Sequence, residues 1–195
     1  MQLLTFHCEL WVLAACLLVA SLASYAALHL VGRVRGEDRV LSVAWLTGGC
    51  LTMGTGIWSL HFVGIQAFLL PVDLGYAPIP TFVSWSAAVA VAALALWLGA
   101  SGKLHAWRFC LGALGMGAGI CAMHFVGLLA LAVDPPVVWD DWLVAACAAI
   151  SVAASAVTLQ ALQWLRHRGD RRSVRHRLFT ALAMGLAISG THLCA

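Results

Sequence analysis

The chain has 195 residues, of which 63% are hydrophobic and 10% charged, against roughly 45–50% and 25% in an ordinary soluble domain. That composition excludes a soluble globule of this size. The net charge of +3 is mildly basic, but every Lys and Arg falls in three breaks between apolar runs, so nucleic acid is not the implied partner.

Six predominantly apolar stretches follow one another at 7–32, 42–70, 79–100, 106–132, 139–165 and 177–195. About 20 apolar residues span a bilayer as a helix, and lipid forbids open strands. The expected fold is an all-α polytopic membrane bundle of six transmembrane helices forming one domain over the whole chain. Met1 to Trp11 holds no Lys or Arg, so the first run lacks the positive start of a signal peptide and is read as a retained helix. Ser21, Thr52, Ser86 and Ser155 are single polar residues within these runs, and helix carbonyls are expected to satisfy them. The seven cysteines lie mostly inside apolar runs and do not read as a disulfide framework.

Short cytoplasmic loops keep Lys and Arg. The first break carries Arg33, Arg35 and Arg39, the third Lys103 and Arg108, and the fifth Arg166, Arg168, Arg171, Arg172, Arg175 and Arg177. The second and fourth breaks carry Asp73 and Asp134 instead. The expected orientation therefore places the N-terminus and the ends of the second, fourth and sixth helices outside the cell. Trp11, Trp139 and Trp142 fall near the outer boundary and Trp45, Trp97, Trp107 and Trp164 near the inner one, the pattern of an interfacial aromatic belt.

The sequence repeats itself. The second run contains Met53-Gly54-Thr55-Gly56-Ile57-Trp58-Ser59-Leu60-His61, the fourth Met116-Gly117-Ala118-Gly119-Ile120-Cys121-Ala122-Met123-His124, and the sixth Met184-Gly185-Leu186-Ala187-Ile188-Ser189-Gly190-Thr191-His192. The unit is a helix pair, present three times, with a histidine on its second helix. Gly54, Gly64, Gly117, Gly127 and Gly185 fall close to the histidine's own face. Small residues on one stripe let membrane helices approach, so this stripe is expected to face another helix. Met53, Met116 and Met184 stand eight residues before each histidine, too far along the axis to share a metal with it, and are read as packing residues.

An ionisable residue inside a membrane marks a proton path, a ligand or a metal. Neutral imidazole is the commonest protein metal ligand, and Met123, Cys121 and Cys194 are soft neighbours that favour ions such as Cu(I). Metal binding by His61, His124 and His192, haem ligation, and a hydrogen-bonded or proton-relay role all remain open on these residues alone. Trp58, one turn before His61, either walls a pocket or fills the core. No nucleophilic triad or phosphate-cradling loop is present, so the chain is not expected to be an enzyme.

The sequences Leu60-His61-Phe62-Val63-Gly64 and Met123-His124-Phe125-Val126-Gly127, with Gly56-Ile57-Trp58-Ser59 and Gly119-Ile120-Cys121-Ala122 before them, resemble the bacterial MHYT family of integral membrane sensor domains. The resemblance covers essentially the whole chain. It implies a sensor of a diatomic gas (O2, CO or NO) in the bacterial inner membrane, with copper held near the outer face. It further implies a cytoplasmic signalling output, often one that turns over cyclic di-GMP. Carried over, the signature histidines are His61, His124 and His192, and the signature methionine is Met123. Leu60 and Thr191 stand where copies one and three of the signature have Met, and Ile65 and Leu128 where a further Met often follows. The last run ends on the outer side, so the output is expected in a longer chain or a partner.

Competing readings are a membrane metal transporter or metal-handling protein, and a haem or quinone redox protein. A transporter needs polar groups on both halves of its path, and the inner halves of the second and fourth helices offer Thr47, Thr52 and glycines. Sensing is the reading this favours.

Overall fold

The computed structural model describes residues 18–19, 21–22, 24–26, 39–67, 75–101, 104–132, 140–167 and 182. Four helices are long and apolar enough to cross a membrane: α1 (Arg39–Ala67), α2 (Pro78–Ala100), α3 (Ala106–Leu129) and α4 (Asp141–His167). They correspond to the second to fifth expected runs. The expected first run is helical where described, at residues 18–19, 21–22 and 24–26, while the sixth is described only at residue 182. His192 lies outside the described residues.

The helices run alternately up and down. Helix α2 packs against both α1 and α3, and α3 packs against α4. Two breaks expected to be plain loops instead pair as strands. β1 (Gly75–Tyr76) and β2 (Leu131–Ala132) form a short antiparallel ladder, with Gly75 opposite Ala132 and Tyr76 opposite Leu131. Helix α3, the fourth expected run, accordingly ends at Leu129 rather than 132. The ladder continues through the Ala77 N–H, which donates to the Ala130 carbonyl at 2.8 Å. Ala77 is extended, with φ −72° and ψ 124°, as a residue before proline prefers, and Pro78 then opens α2 at the position where its missing N–H is harmless.

The core interleaves Leu and Met side chains with alanines. Met53, Leu60, Ala88, Ala92, Ala95, Leu96, Met116, Met123 and Leu159 are all 2% exposed or less. On α2, Ser84, Ala88, Ala92 and Leu96 are buried at four-residue spacing, one face of a helix. On α4, Cys147, Ser151, Ser155 and Leu159 do the same. The second set lies 63 residues after the first, the separation between His61 and His124, so the duplication is visible in the packing of α2 and α4 although Ser, Ala, Ala has become Cys, Ser, Ser.

Glycine sets how closely the helices approach. A Cβ on Gly54 would stand 2.6 Å from Cα of Val89, and one on Gly117 would stand 2.8 Å from Cα of Val152. The α1–α2 and α3–α4 pairs thus repeat one contact in one register. Gly64 departs from the expected stripe: nothing among the described residues lies within 4 Å of its would-be Cβ.

The isolated polar residues behave as membrane chemistry requires. Thr52, Ser86 and Ser155 donate to the carbonyls four residues back, at 2.8, 2.9 and 2.7 Å. The Ser21 hydroxyl departs from that expectation and has no partner among the described residues. Among the described residues, Cys50, Cys110, Cys121 and Cys147 form no disulfide.

Candidate functional site: a histidine pair beneath a strand ladder

His61 lies six residues from the end of α1 and His124 five from the end of α3. At about 1.5 Å rise per residue, both sit roughly 7–9 Å below the ladder that joins the two adjacent breaks. The opposite end of the bundle bears Arg39, the α2–α3 connection and His167. Both histidines are buried, at 1% and 7% exposure.

The structure brings them together. Their Nδ1 atoms are 3.2 Å apart, and the ring centroids are 4.8 Å apart in an edge-on arrangement. As a hydrogen bond between neutral rings, this contact makes one imidazole the Nδ1–H tautomer that donates and the other the Nε2–H tautomer that accepts. The far side of the His61 ring rests on Gly127, where a Cβ would collide with Nε2. Of the repeated glycines after the histidine, Gly127 seats the neighbouring copy's histidine, while no described residue lies within 4 Å of the Cβ position of Gly64.

Ser84 was not legible as a site residue. Fully buried, its hydroxyl donates to the Met123 carbonyl at 2.8 Å, tying α2 to α3 one residue before His124. Its Oγ lies 3.2 Å from the would-be Cβ of Gly127, on the same spot where His61 is seated. The only trace of it in the sequence is its place at four-residue spacing before Ala88 and Ala92, which does not by itself mark a site. The Met123 side chain is 1% exposed and belongs to the hydrophobic core cluster.

Aromatic rings close the site towards the ladder. Trp58 packs on Phe62 with centroids 4.7 Å apart, Phe62 meets the His61 ring edge-on at 5.2 Å, and Tyr76 of β1 meets Phe62 at 5.2 Å. Trp58 therefore joins a wall next to the histidines, and its indole N–H and the Tyr76 hydroxyl are buried without a hydrogen-bond partner among the described residues. Phe125 packs beside His124 in the same manner, with centroids 5.2 Å apart. Among the described residues no three His, Cys, Asp or Glu side chains converge as a metal-binding group; the pair supplies two nitrogen donors.

These histidines lie in a recognisable repeat. The family model described as the bacterial signalling protein N-terminal repeat, MHYT, matches residues 54–113 and 117–181. The chain belongs to the MHYT family. The two matched copies begin at Gly54 and Gly117, the two glycines that set the close helix contacts. As an MHYT protein with four described apolar spans, it is a multi-pass membrane protein.

Three curated MHYT relatives cover about nine-tenths of the chain. It is 47% identical over 176 residues to the bifunctional diguanylate cyclase/cyclic di-GMP phosphodiesterase MucR of Pseudomonas aeruginosa, covering 90% of this chain and 26% of that protein. It is 33% identical over 179 residues to the cyclic di-GMP phosphodiesterase NbdA of the same organism, covering 92% and 23%. The signaling protein YkoW of Bacillus subtilis is 31% identical over 180 residues, covering 90% and 22%. The chain spans about a quarter of the length of these relatives. No solved structure matches it.

Proposed function

We propose that this chain is the membrane sensor module of a signalling protein whose output turns over cyclic di-GMP, and that the module itself is not an enzyme. The relatives named above support the output, since two of them carry cyclic di-GMP turnover in their names. The loop charges support an orientation with the histidine end outside the cell and the basic end in the cytoplasm of a bacterial inner membrane.

The observation that carries the sensing role is the buried contact between His61 and His124, two equivalent residues of a duplicated unit meeting in the membrane. The pair offers imidazole nitrogens of the kind that transition metals take, and an Nδ1 now sharing the hydrogen-bond proton would have to release it to become a ligand. His61 and His124 would hold the metal, with His192 and Met123 as the further ligands that the signature assigns. A copper ion bound there would supply the receptor for O2, CO or NO. Gly127 seats the His61 ring, Ser84 fixes α3 beside His124, and the Trp58–Phe62–Tyr76 wall limits access by water.

The close Gly54–Val89 and Gly117–Val152 contacts would pass a small helix shift towards the basic end. A fusion of residues 1–195 to a cyclic di-GMP cyclase domain tests the whole reading in vesicles. Cyclase output is expected to change between anaerobic and oxygenated or NO-treated samples in the wild type, and to stop changing in His61→Ala and His124→Ala. Equal gas responses in wild type and both variants would contradict it.

A further inference from the structure

We propose that Trp97, Trp107 and Arg108 form a binding site for the phosphate of an anionic phospholipid headgroup, at the end of the bundle opposite the histidines. The inference rests on the chain crossing a membrane and is independent of any metal.

Trp97 lies in the last turn of α2 and Trp107 in the first turn of α3, so the two indoles flank the connection between these helices. Cζ of Arg108 lies 6.0 Å from the centroid of each ring. The guanidinium thus lies at the edge of cation–π range of both rings, a contact made more often by Arg than by Lys, and its planar fork is a donor array that Lys lacks. Both tryptophans are more than half exposed, at 53% and 64%. Among the described residues neither indole N–H meets an acceptor and no carboxylate reaches Arg108. The described carboxylates, Asp140 and Asp141, are at the other end of the bundle.

No described residue supplies this arrangement with an anion. Helix α3 starts at His105 with no side-chain cap, and its first turn contains no acidic residue. The helix dipole opposes a cation in a first turn, so Arg108 is placed against the local field unless negative charge sits beside it. Guanidinium N–H groups in a planar fork match phosphate oxygens, and the two indole N–H groups add donors on either side. Tryptophan favours the headgroup level of a bilayer, which puts a phosphodiester within reach and makes the lipid, rather than free phosphate, the occupant.

Native mass spectrometry of the detergent-solubilised chain, equilibrated with equal phosphatidylglycerol and phosphatidylcholine, reads this directly. The wild type is expected to retain phosphatidylglycerol preferentially, and millimolar inorganic phosphate is expected not to displace it. Arg108→Gln should lower phosphatidylglycerol retention about fivefold, the effect of one basic residue at an anionic surface, with phosphatidylcholine retention and helical circular dichroism unchanged. Arg108→Lys and the Trp97→Leu/Trp107→Leu double variant should lose most of the preference, whereas Lys103→Gln, an equal loss of charge nearby in sequence, should lose less. Retention by Arg108→Lys equal to wild type, or an equal drop in Lys103→Gln, would overturn the site in favour of unspecific charge. Displacement by inorganic phosphate would overturn the lipid as occupant, and no preference for phosphatidylglycerol in the wild type would leave an acidic protein segment as what Arg108 meets.

Discussion

His61 and Gly127 form the tightest relation at the site, because the ring occupies the volume that any side chain at 127 would need. Gly127→Ala is expected to push His61 away from His124 and to destabilise the bundle by about 1–3 kcal/mol, as overpacking does. Gly64→Ala, the repeat-equivalent change where no described residue lies within 4 Å, should stay within about 0.5 kcal/mol. Equilibrium unfolding in mixed micelles compares the two, and equal effects would refute the seating role of Gly127. Ser84→Ala removes one buried hydrogen bond. In a membrane protein that costs about 0.6 kcal/mol, so its main consequence is expected at His124, as a changed imidazole nitrogen chemical shift in 15N spectra. The histidines and glycines were legible in the sequence because they recur at fixed spacing. The seating of His61 on Gly127 was not, because it depends on which helix lies opposite, and spacing along one helix carries no such information.

Between elements, the 63-residue offset governs the packing. Gly54 against Val89 and Gly117 against Val152 place backbone against backbone, so an added Cβ has no flexible atom to displace. Gly54→Leu and Gly117→Leu should therefore separate α1 from α2 and α3 from α4, lower thermal stability, and uncouple the output from its stimulus in a cyclase fusion. A fully responsive fusion carrying both substitutions would sink the proposal that these contacts transmit the signal. The four helices were readable from their apolar lengths, while their ends fell up to three residues from the expected 42–70, 79–100, 106–132 and 139–165. The β1–β2 ladder was not, because two-residue strands in breaks containing Pro, Gly and Asp leave no alternation to detect. Its effect is to tie the α1–α2 connection to the end of α3 directly over the histidines.

The whole molecule is a duplicated membrane unit with different chemistry at its two ends. One end buries imidazoles under aromatic rings and a strand ladder; the other carries Arg108 beside the exposed Trp97 and Trp107. Composition alone established the membrane and the loop charges suggested the orientation. The histidine contact required the fold, since α1 and α3 touch only slightly and α2 packs between them along most of their length. The further repeat at 184–192 predicts that His192 joins the pair from the sixth run, which makes the metal content of the protein the property on which the sensor account stands or falls.

Inductively coupled plasma mass spectrometry on the detergent-purified chain, wild type beside His61→Ala, His124→Ala and His192→Ala, tests that property most directly. The account predicts near-stoichiometric copper in the wild type and its loss in each variant, while Gly64→Ala retains it. Wild-type protein that holds no metal after incubation with Cu(I) or Zn(II), or variants that bind as much as the wild type, would contradict it and return His61 and His124 to a hydrogen-bonded core.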